Sequence, residues 1–328
     1  MWWRAAQAAC AGLWLAVVLL KALVPDSGPA RALGGTVHHW LLGGGIVALI
    51  LGYAALLSRL RARAIRPPAA PDDGAITDAE LDRYARHLVL REIGGPGQMR
   101  LREARVLVIG AGGLGAPLCL YLAAAGVGRI TVADDDTVNL SNLQRQVIFR
   151  SDQRGEAKTH AAAAAMTALN PHVTVTPLPR RISDADTGLI AGFDLVLDGT
   201  DSFPGREAIN RACVAAGVPL IAGAIGQWEG QVTLYDPSRG GPCLACLFPT
   251  APKPGLAPSC AEAGVVGALP GVIGSLMALE AIKLLTGAGQ GLRGRMLIFD
   301  GLYGETRMIT TSRRPDCAVC CLSAGTAS

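Results

Sequence analysis

Residues 105–146 read RVLVIGAGGLGAPLCLYLAAAGVGRITVADDDTVNLSNLQRQ. An apolar run, Arg105–Ile109, enters the turn Gly110-Ala111-Gly112-Gly113-Leu114-Gly115 and leaves into an apolar helical pattern. A second apolar run, Ile130–Ala133, ends in Asp134, Asp135 and Asp136. The order is strand, glycine turn, helix, strand, acid. Glycines in such a turn let backbone N–H groups approach a phosphate, which then sits at a helix N-terminus where the dipole favours negative charge. An acid at the tip of the next strand suits a ribose diol. The stretch therefore reads as a nucleotide site, and its glycine spacing alone points first to NAD or FAD.

Downstream, strand patterns alternate with helical ones. Strands are expected at Arg105–Ile109, Arg129–Ala133, Val173–Pro177, Leu195–Asp198 and Leu220–Gly223. Helices are expected at Leu114–Ala125, Ala157–Leu169, Asp184–Ala191 and Pro204–Ala216. This alternation implies an α/β, Rossmann-like, mostly parallel sheet with helices on both faces. Gln231–Tyr235, Met296–Phe299 and Glu305–Thr311 read instead as an antiparallel extension around a long apolar helix, about Gly264–Leu285. Upstream, Thr77-Asp78-Ala79-Glu80 is a capping box opening an amphipathic helix whose expected apolar set is Leu81, Tyr84, Leu88 and Leu90. Ligands should gather at the carboxyl ends of the parallel strands, where the glycine loop, Asp134 and Asp198–Asp201 fall.

Half of the 328 residues are hydrophobic and 17% are charged, with the apolar excess concentrated at the N-terminus. A net charge of +4 is too mild to suggest a nucleic-acid partner. Two apolar segments, about Ala5–Val24 and Trp40–Leu57, approach the length of a bilayer-crossing helix, and Trp2, Trp3 and Trp40 lie near their ends. The first has no convincing signal-peptide cleavage site after it. Arg59, Arg61, Arg63 and Arg66 follow the second, so the positive-inside rule puts that side in the cytoplasm. The expected organisation is a two-helix transmembrane hairpin at 1–66, a linker at 67–76 and a catalytic domain at 77–328. The hairpin would anchor the protein as a multi-pass protein of the inner membrane, catalytic domain in the cytoplasm.

The polar residues after the acidic tip change the nucleotide reading. Asn142, Arg145, Lys158 and Asp201 follow the same glycine loop. Transfer at a nucleoside triphosphate builds negative charge on the reacting phosphorus oxygens and the leaving pyrophosphate, so cations and a magnesium-binding carboxylate should converge there. A dehydrogenase leaves that set unexplained.

Several motifs carry a closer resemblance: RYARH at 83–87, GAGGLG at 110–115, DDDTVNLSNLQRQ at 134–146, GEAK at 155–158, DGTDS at 198–202, GQV at 230–232 and CAEAGVVGALPGVIGSLMALEAIK at 260–283. With two C-x-x-C pairs, they make residues from about 81 to 320 similar to the MoeB/ThiF/HesA family, relatives of ubiquitin-activating enzymes. The molybdopterin-synthase adenylyltransferase branch resembles them most. The resemblance implies ATP-dependent adenylation of the C-terminal glycine of a ubiquitin-like sulfur carrier ending in Gly-Gly (MoaD/ThiS type), for molybdopterin or thiamin sulfur transfer. The glycine turn offers Gly110, Gly112, Gly113 and Gly115 as nucleotide-binding residues, and the resemblance implies that Gly113 lies against the phosphates and Asp134 holds the ribose. Asn142, Arg145 and Lys158 would stabilise the transferring phosphate, with Mg2+ on Asp201. Arg86, which by itself reads as part of a solvated helix face, would reach into a partner's site, making a homodimer. A separate protein must donate the sulfur. The family commonly has Asn where this chain has Ser202, which keeps open a membrane-tethered scaffold that docks a ubiquitin-like partner without catalysis.

Cys243, Cys246, Cys317 and Cys320 form the two C-x-x-C pairs and fit a closed four-thiolate site typical of structural Zn2+. Cys260 precedes an expected helix start, where the dipole would lower its pKa. The resemblance to ThiF-like members implies a thiol there that takes up the activated carrier, whereas the MoeB-like branch dispenses with it. Cys10, Cys119 and Cys213 lie in apolar helical surroundings and read as packing residues.

Overall fold

A computed structural model describes residues 2–25, 27–63, 76–250 and 264–321. The chain divides into two compact units, residues 1–75 and 76–328. In the first, helices α1 (Trp2–Leu23), α2 (Gly28–Ala32) and α3 (Val37–Arg63) follow one another. The turn region is built rather than loose. Lys21 is 7% exposed, and its ammonium donates to the carbonyls of Ala30 at 2.9 Å and Gly35 at 2.8 Å. This lysine lies in the last turn of α1 and ties the connection together. The Trp14 indole lies against Gly44, where a Cβ would overlap it, and donates to the Trp40 carbonyl at 3.2 Å. Within α3, Val37–Ala54 has mean hydropathy 1.4 and no buried residue, so it is long and apolar enough to cross a bilayer. The expected linker lies almost wholly outside the described residues.

The second unit begins with α4 (Asp78–Leu88) and α5 (Gly94–Glu103). The Thr77–Glu80 capping box forms, burying Glu80 within 3.4 Å of Arg102. Burial alone would raise the Glu80 pKa, but the Thr77 hydrogen bonds and Arg102 hold it below the usual carboxylate value. Tyr84 is buried against Asn170, whereas Leu81 and Leu90 of the expected apolar set are exposed. Helix α5 was not legible in GGPGQMRLRE. Its tertiary contacts hold it: Leu101 is fully buried, Gln98 donates to the Ala125 carbonyl at 2.9 Å, and Arg100 donates to that of Thr286.

Strand β1 (Arg105–Ile109), α6 (Gly115–Ala125), β2 (Arg129–Ala133), α7 (Lys158–Leu169), β3 (Thr174–Leu178), α8 (Thr187–Ile190), β4 (Leu195–Asp198), α9 (Phe203–Ala216) and β5 (Leu220–Ile225) make the parallel half. Strand β6 (Glu229–Tyr235), α10 (Leu244–Leu247), α11 (Ala268–Thr286), β7 (Arg295–Asp300) and β8 (Glu305–Thr310) complete the unit. The sheet order is β3-β2-β1-β4-β5-β6-β7-β8, antiparallel from β5–β6 onward. Period two along β1 sends Val106 and Val108 into one core, with α5, α6, α7 and α11, and Leu107 and Ile109 into another, with α8 and α9. Helices therefore cover both faces. Helix α11 is as apolar as a membrane span, with mean hydropathy 1.6, but 44% of it is buried. It is a core helix: Ile273, Met277 and Ala281 are sealed against the sheet.

Candidate active site

The turn after β1 is shaped by two glycines. Gly110 sits at φ +90°, a left-handed conformation that glycine adopts without strain, and donates to the Ala133 carbonyl at 2.8 Å. A Cβ at Gly115 would overlap the Gly110 carbonyl, so only glycine lets α6 start this close to the strand. Asp134 ties the turn to β2. One carboxylate oxygen accepts from the Ala111 N–H at 2.7 Å and the other from the Asp136 N–H at 2.8 Å. Each oxygen has a second lone pair for a ligand hydroxyl.

A cleft of about 940 Å3 opens above the carboxyl ends of the parallel strands. Gly110, Gly112, Gly113, Asp134, Asn142, Arg145, Lys158 and Asp201 all line it, so the structure brings these sequence-selected residues together. Gly115 lies behind, at the buried start of α6. Lys158 is the first residue of α7, and its side chain is 5% exposed. Its ammonium reaches the cleft through an ion pair with the largely exposed Asp136 at 2.7 Å. Arg145 donates to the Asn142 side-chain oxygen at 2.9 Å, which aims the guanidinium. Asp201 is exposed at the lip. Its loop is held from below by buried Asp198, which accepts from the Thr200 N–H at 2.8 Å and hydroxyl at 2.7 Å. Arg206 adds donations to the carbonyls of Thr200 and Gly223.

Ser202 is the N-cap of α9, its hydroxyl accepting from the Gly205 N–H at 3.2 Å. Serine and asparagine serve this capping position about equally well, so the departure from the family pattern leaves the local structure intact. Asn210 is turned away and accepts from the Leu244 N–H at 2.9 Å.

Two cleft residues escaped the sequence reading. Asp136 was visible as the last acid of the run, but nothing in the sequence paired it with Lys158. Arg181 lines the cleft after β3 and donates to Asp135 at 2.8 Å, a contact spanning 46 positions. Arg86 lies exposed on α4 and does not line the cleft of its own chain.

The Sγ atoms of Cys243, Cys246, Cys317 and Cys320 lie within 4.8 Å of one another, and all four residues are buried. Neighbouring sulfurs are 3.5–3.8 Å apart. A tetrahedron with metal–sulfur bonds of about 2.3 Å has edges of about 3.8 Å, so the cluster fits a metal of that size. Cys119 and Cys213 are sealed in the cores, where burial pushes both thiols up, Cys119 to about 12. They are packing residues, not nucleophiles. Cys260 lies outside the described residues.

Comparison with known proteins fits this geometry. The model of the ThiF family matches residues 84–319. A SAMP-activating enzyme E1 of Haloferax volcanii is 48% identical over 242 residues, covering 74% of this chain and 89% of its own. A sulfur carrier protein adenylyltransferase of Thermus thermophilus is 47% identical over 249 residues, covering 74% and 92%. The mouse adenylyltransferase and sulfurtransferase MOCS3 is 48% identical over 256 residues; the match covers 77% of this chain and 55% of that longer protein. The fold matches the crystal structure of E. coli MccB with ATP at a TM-score of 0.63, with 23% identity over 73% of this chain and 74% of the other. With its glycine turn, acidic strand tip and mixed sheet in place, the chain belongs to the ThiF family.

Proposed function

We propose that the protein is an adenylyltransferase that activates the C-terminal carboxylate of a ubiquitin-like sulfur carrier with ATP. The observation that carries this reading is the convergence of Asn142, Arg145, Lys158 and Asp201 on one cleft behind a glycine turn. The names of the Thermus and mouse relatives point the same way.

In this reading the glycine turn and the start of α6 take the phosphates, and Asp134 takes the ribose. A carboxylate oxygen of the carrier's last glycine attacks the α-phosphorus. The bond from that phosphorus to the bridging oxygen breaks, and pyrophosphate leaves with the electron pair. The product is an acyl adenylate, whose AMP is a far better leaving group than a bare carboxylate oxygen. Arg145 and Lys158 stabilise charge that grows on the non-bridging oxygens and the departing pyrophosphate. Their partners Asn142 and Asp136 keep both cations aimed before substrate arrives. Asp201 is the acid available to hold Mg2+, which when bound neutralises the outer phosphates. The thiolate cluster holds Zn2+ as a closed structural site, joining α10 to the segment after β8.

The active unit is proposed to be a homodimer. An apolar groove lined by Pro117, Tyr121, Val147, Val272 and Leu279 offers a second copy a surface between α6 and α11, and Arg86 of each copy serves its neighbour's cleft. Residues 1–66 serve as a two-helix membrane anchor that leaves this unit on the cytoplasmic side. Ser202 caps α9, so the loop that carries Asp201 keeps its support, which favours the catalytic reading over a non-catalytic scaffold.

Carrier-dependent ATP–pyrophosphate exchange tests the reading, using carriers ending in Gly-Gly and Asp201→Ala as control. Exchange that requires both the carrier and Asp201 is expected. Absence of exchange while ATP and carrier both bind would return the protein to the scaffold class.

A further inference from the structure

The sheet order fixes where each part of a nucleotide must lie. Phosphates belong at the glycine turn after β1, and ribose belongs at Asp134 after the neighbouring β2. Continuing outward from phosphate to ribose, the base comes over the end of β3, the next strand in the order. The chain leaving β3 is Pro179-Arg180-Arg181-Ile182, and Arg180, Arg181 and Ile182 all line the cleft.

This segment is braced. Arg180 makes two hydrogen bonds to Asp186, at 2.7 and 3.1 Å, and donates to the Arg181 carbonyl at 3.0 Å. Asp186 also accepts from the Ser183 N–H at 2.8 Å, which closes the bend. Ile182 is 7% exposed and supplies an apolar wall. Arg181 differs from Arg180: its side chain is 82% exposed and is held through Nε by Asp135 at 2.8 Å. A planar guanidinium gripped along one edge keeps its faces free for stacking.

Resting on the nucleotide-binding reading above, we propose that Arg181 is the base-contacting, specificity-determining residue of the cleft, laying its guanidinium face on the nucleobase while Asp135 holds its edge. The Asp135 contact orients the guanidinium, and the negative charges of Asp136 and Asp201 nearby add to the field that retains it over the cleft. Stacking on a flat base gains most from the larger purine face, so the contact favours ATP over pyrimidine nucleotides.

Calorimetric titration of the full-length protein in detergent with Mg-ATP, Mg-UTP and Mg-tripolyphosphate tests this. Arg181→Ala should weaken ATP about three- to thirty-fold and shrink the preference for ATP over UTP. Tripolyphosphate, which has no base, should bind Arg181→Ala and wild type alike. Asp135→Asn, which keeps the guanidinium but loosens its hold, should shift ATP in the same direction by less. Equal weakening of tripolyphosphate would make Arg181 a phosphate ligand and overturn the proposal, as would unchanged ATP binding in Arg181→Ala. Wild-type protein that bound no ATP would instead overturn the nucleotide reading on which this one rests.

Discussion

Lys158 separates what the cleft does for catalysis from what it does for folding. Its ammonium is almost fully buried, while the partner Asp136 has a side chain 69% exposed. Replacing it by methionine keeps the length and apolar stem of the side chain. Loss of a buried charge that is paired to a solvated carboxylate is close to neutral for stability, because Asp136 returns to water and the lysine's desolvation cost disappears. The transition state has no such alternative. At an effective dielectric of about 20, two unit charges some 4 Å apart interact by about 4 kcal/mol, and removing one preorganised donor to a developing oxyanion costs about 2.7–4 kcal/mol. Lys158→Met should therefore slow carrier-dependent ATP–pyrophosphate exchange by about 10²–10³-fold. Its melting temperature should stay within about 4 °C of wild type, the shift that about 1 kcal/mol gives a domain of this size. Asp136→Asn, which keeps the ammonium but removes its guide, should fall between the two. A loss below about tenfold in a folded Lys158→Met protein would refute a direct electrostatic role for this lysine. So would a loss that follows the melting temperature across the series.

Removing the thiolate cluster should act on stability first. Cys243→Ser, or prolonged chelation, should expel bound zinc and cost on the order of 3 kcal/mol or more, roughly 6–12 °C in melting; metal analysis that finds none in wild-type protein would refute the assignment. A chain of residues 76–328 should remain folded and active in exchange without detergent, since it forms a compact unit by itself; a soluble, folded, inactive truncation would show that the N-terminal helices do more than anchor. Acid should release the brace beside β3. The Arg180 guanidinium holds the Asp186 carboxyl below its usual value, so the stability it contributes is present above the unfolded carboxyl pKa of about 3.9 and is lost as pH falls through the lower folded value. The melting-temperature gap between wild type and Asp186→Asn should close below that pH, and a gap that widens there would contradict the linkage.

Much of what is legible from sequence acts through local chain geometry. The glycine turn, the acidic tip and the strand alternation are set by neighbours a few positions away, which is why β1, β2 and β4 fall on their expected bounds. Helix α5 illustrates the opposite case. Its glycines and proline speak against a helix, and the contacts that hold it come from Ala125 and Thr286. Asp136 and Arg181 were missed for the same reason, since Lys158 and Asp135 meet them across 22 and 46 positions. A long apolar run is ambiguous by composition in either direction. Val37–Ala54 and Ala268–Thr286 have similar hydropathy, and only the partners separate them: one has no buried residue, the other is packed into a sheet.

That dependence on distant partners also bears on how the family's chemistry is kept while its details vary. In the proposed reaction the glycine turn, Asp134, Arg145 and Lys158 would act on parts of ATP that every adenylation shares: phosphates, ribose and the reacting phosphorus. Positions at the base and at the caps face weaker demands. Ser202 satisfies one helix N–H, a task several short polar residues perform with a difference of a few tenths of a kcal/mol to about 1 kcal/mol. Arg181, as proposed, would meet the outer end of the nucleotide, where cation–π contact, apolar packing and hydrogen bonding can each suffice. Substitution at such a position should change affinity and base preference by modest factors, whereas loss of Lys158 should remove charge stabilisation at the reacting phosphate itself. Variation should therefore gather around β3 and the start of α9, and its kinetic mark should be a change in KM for ATP with kcat retained.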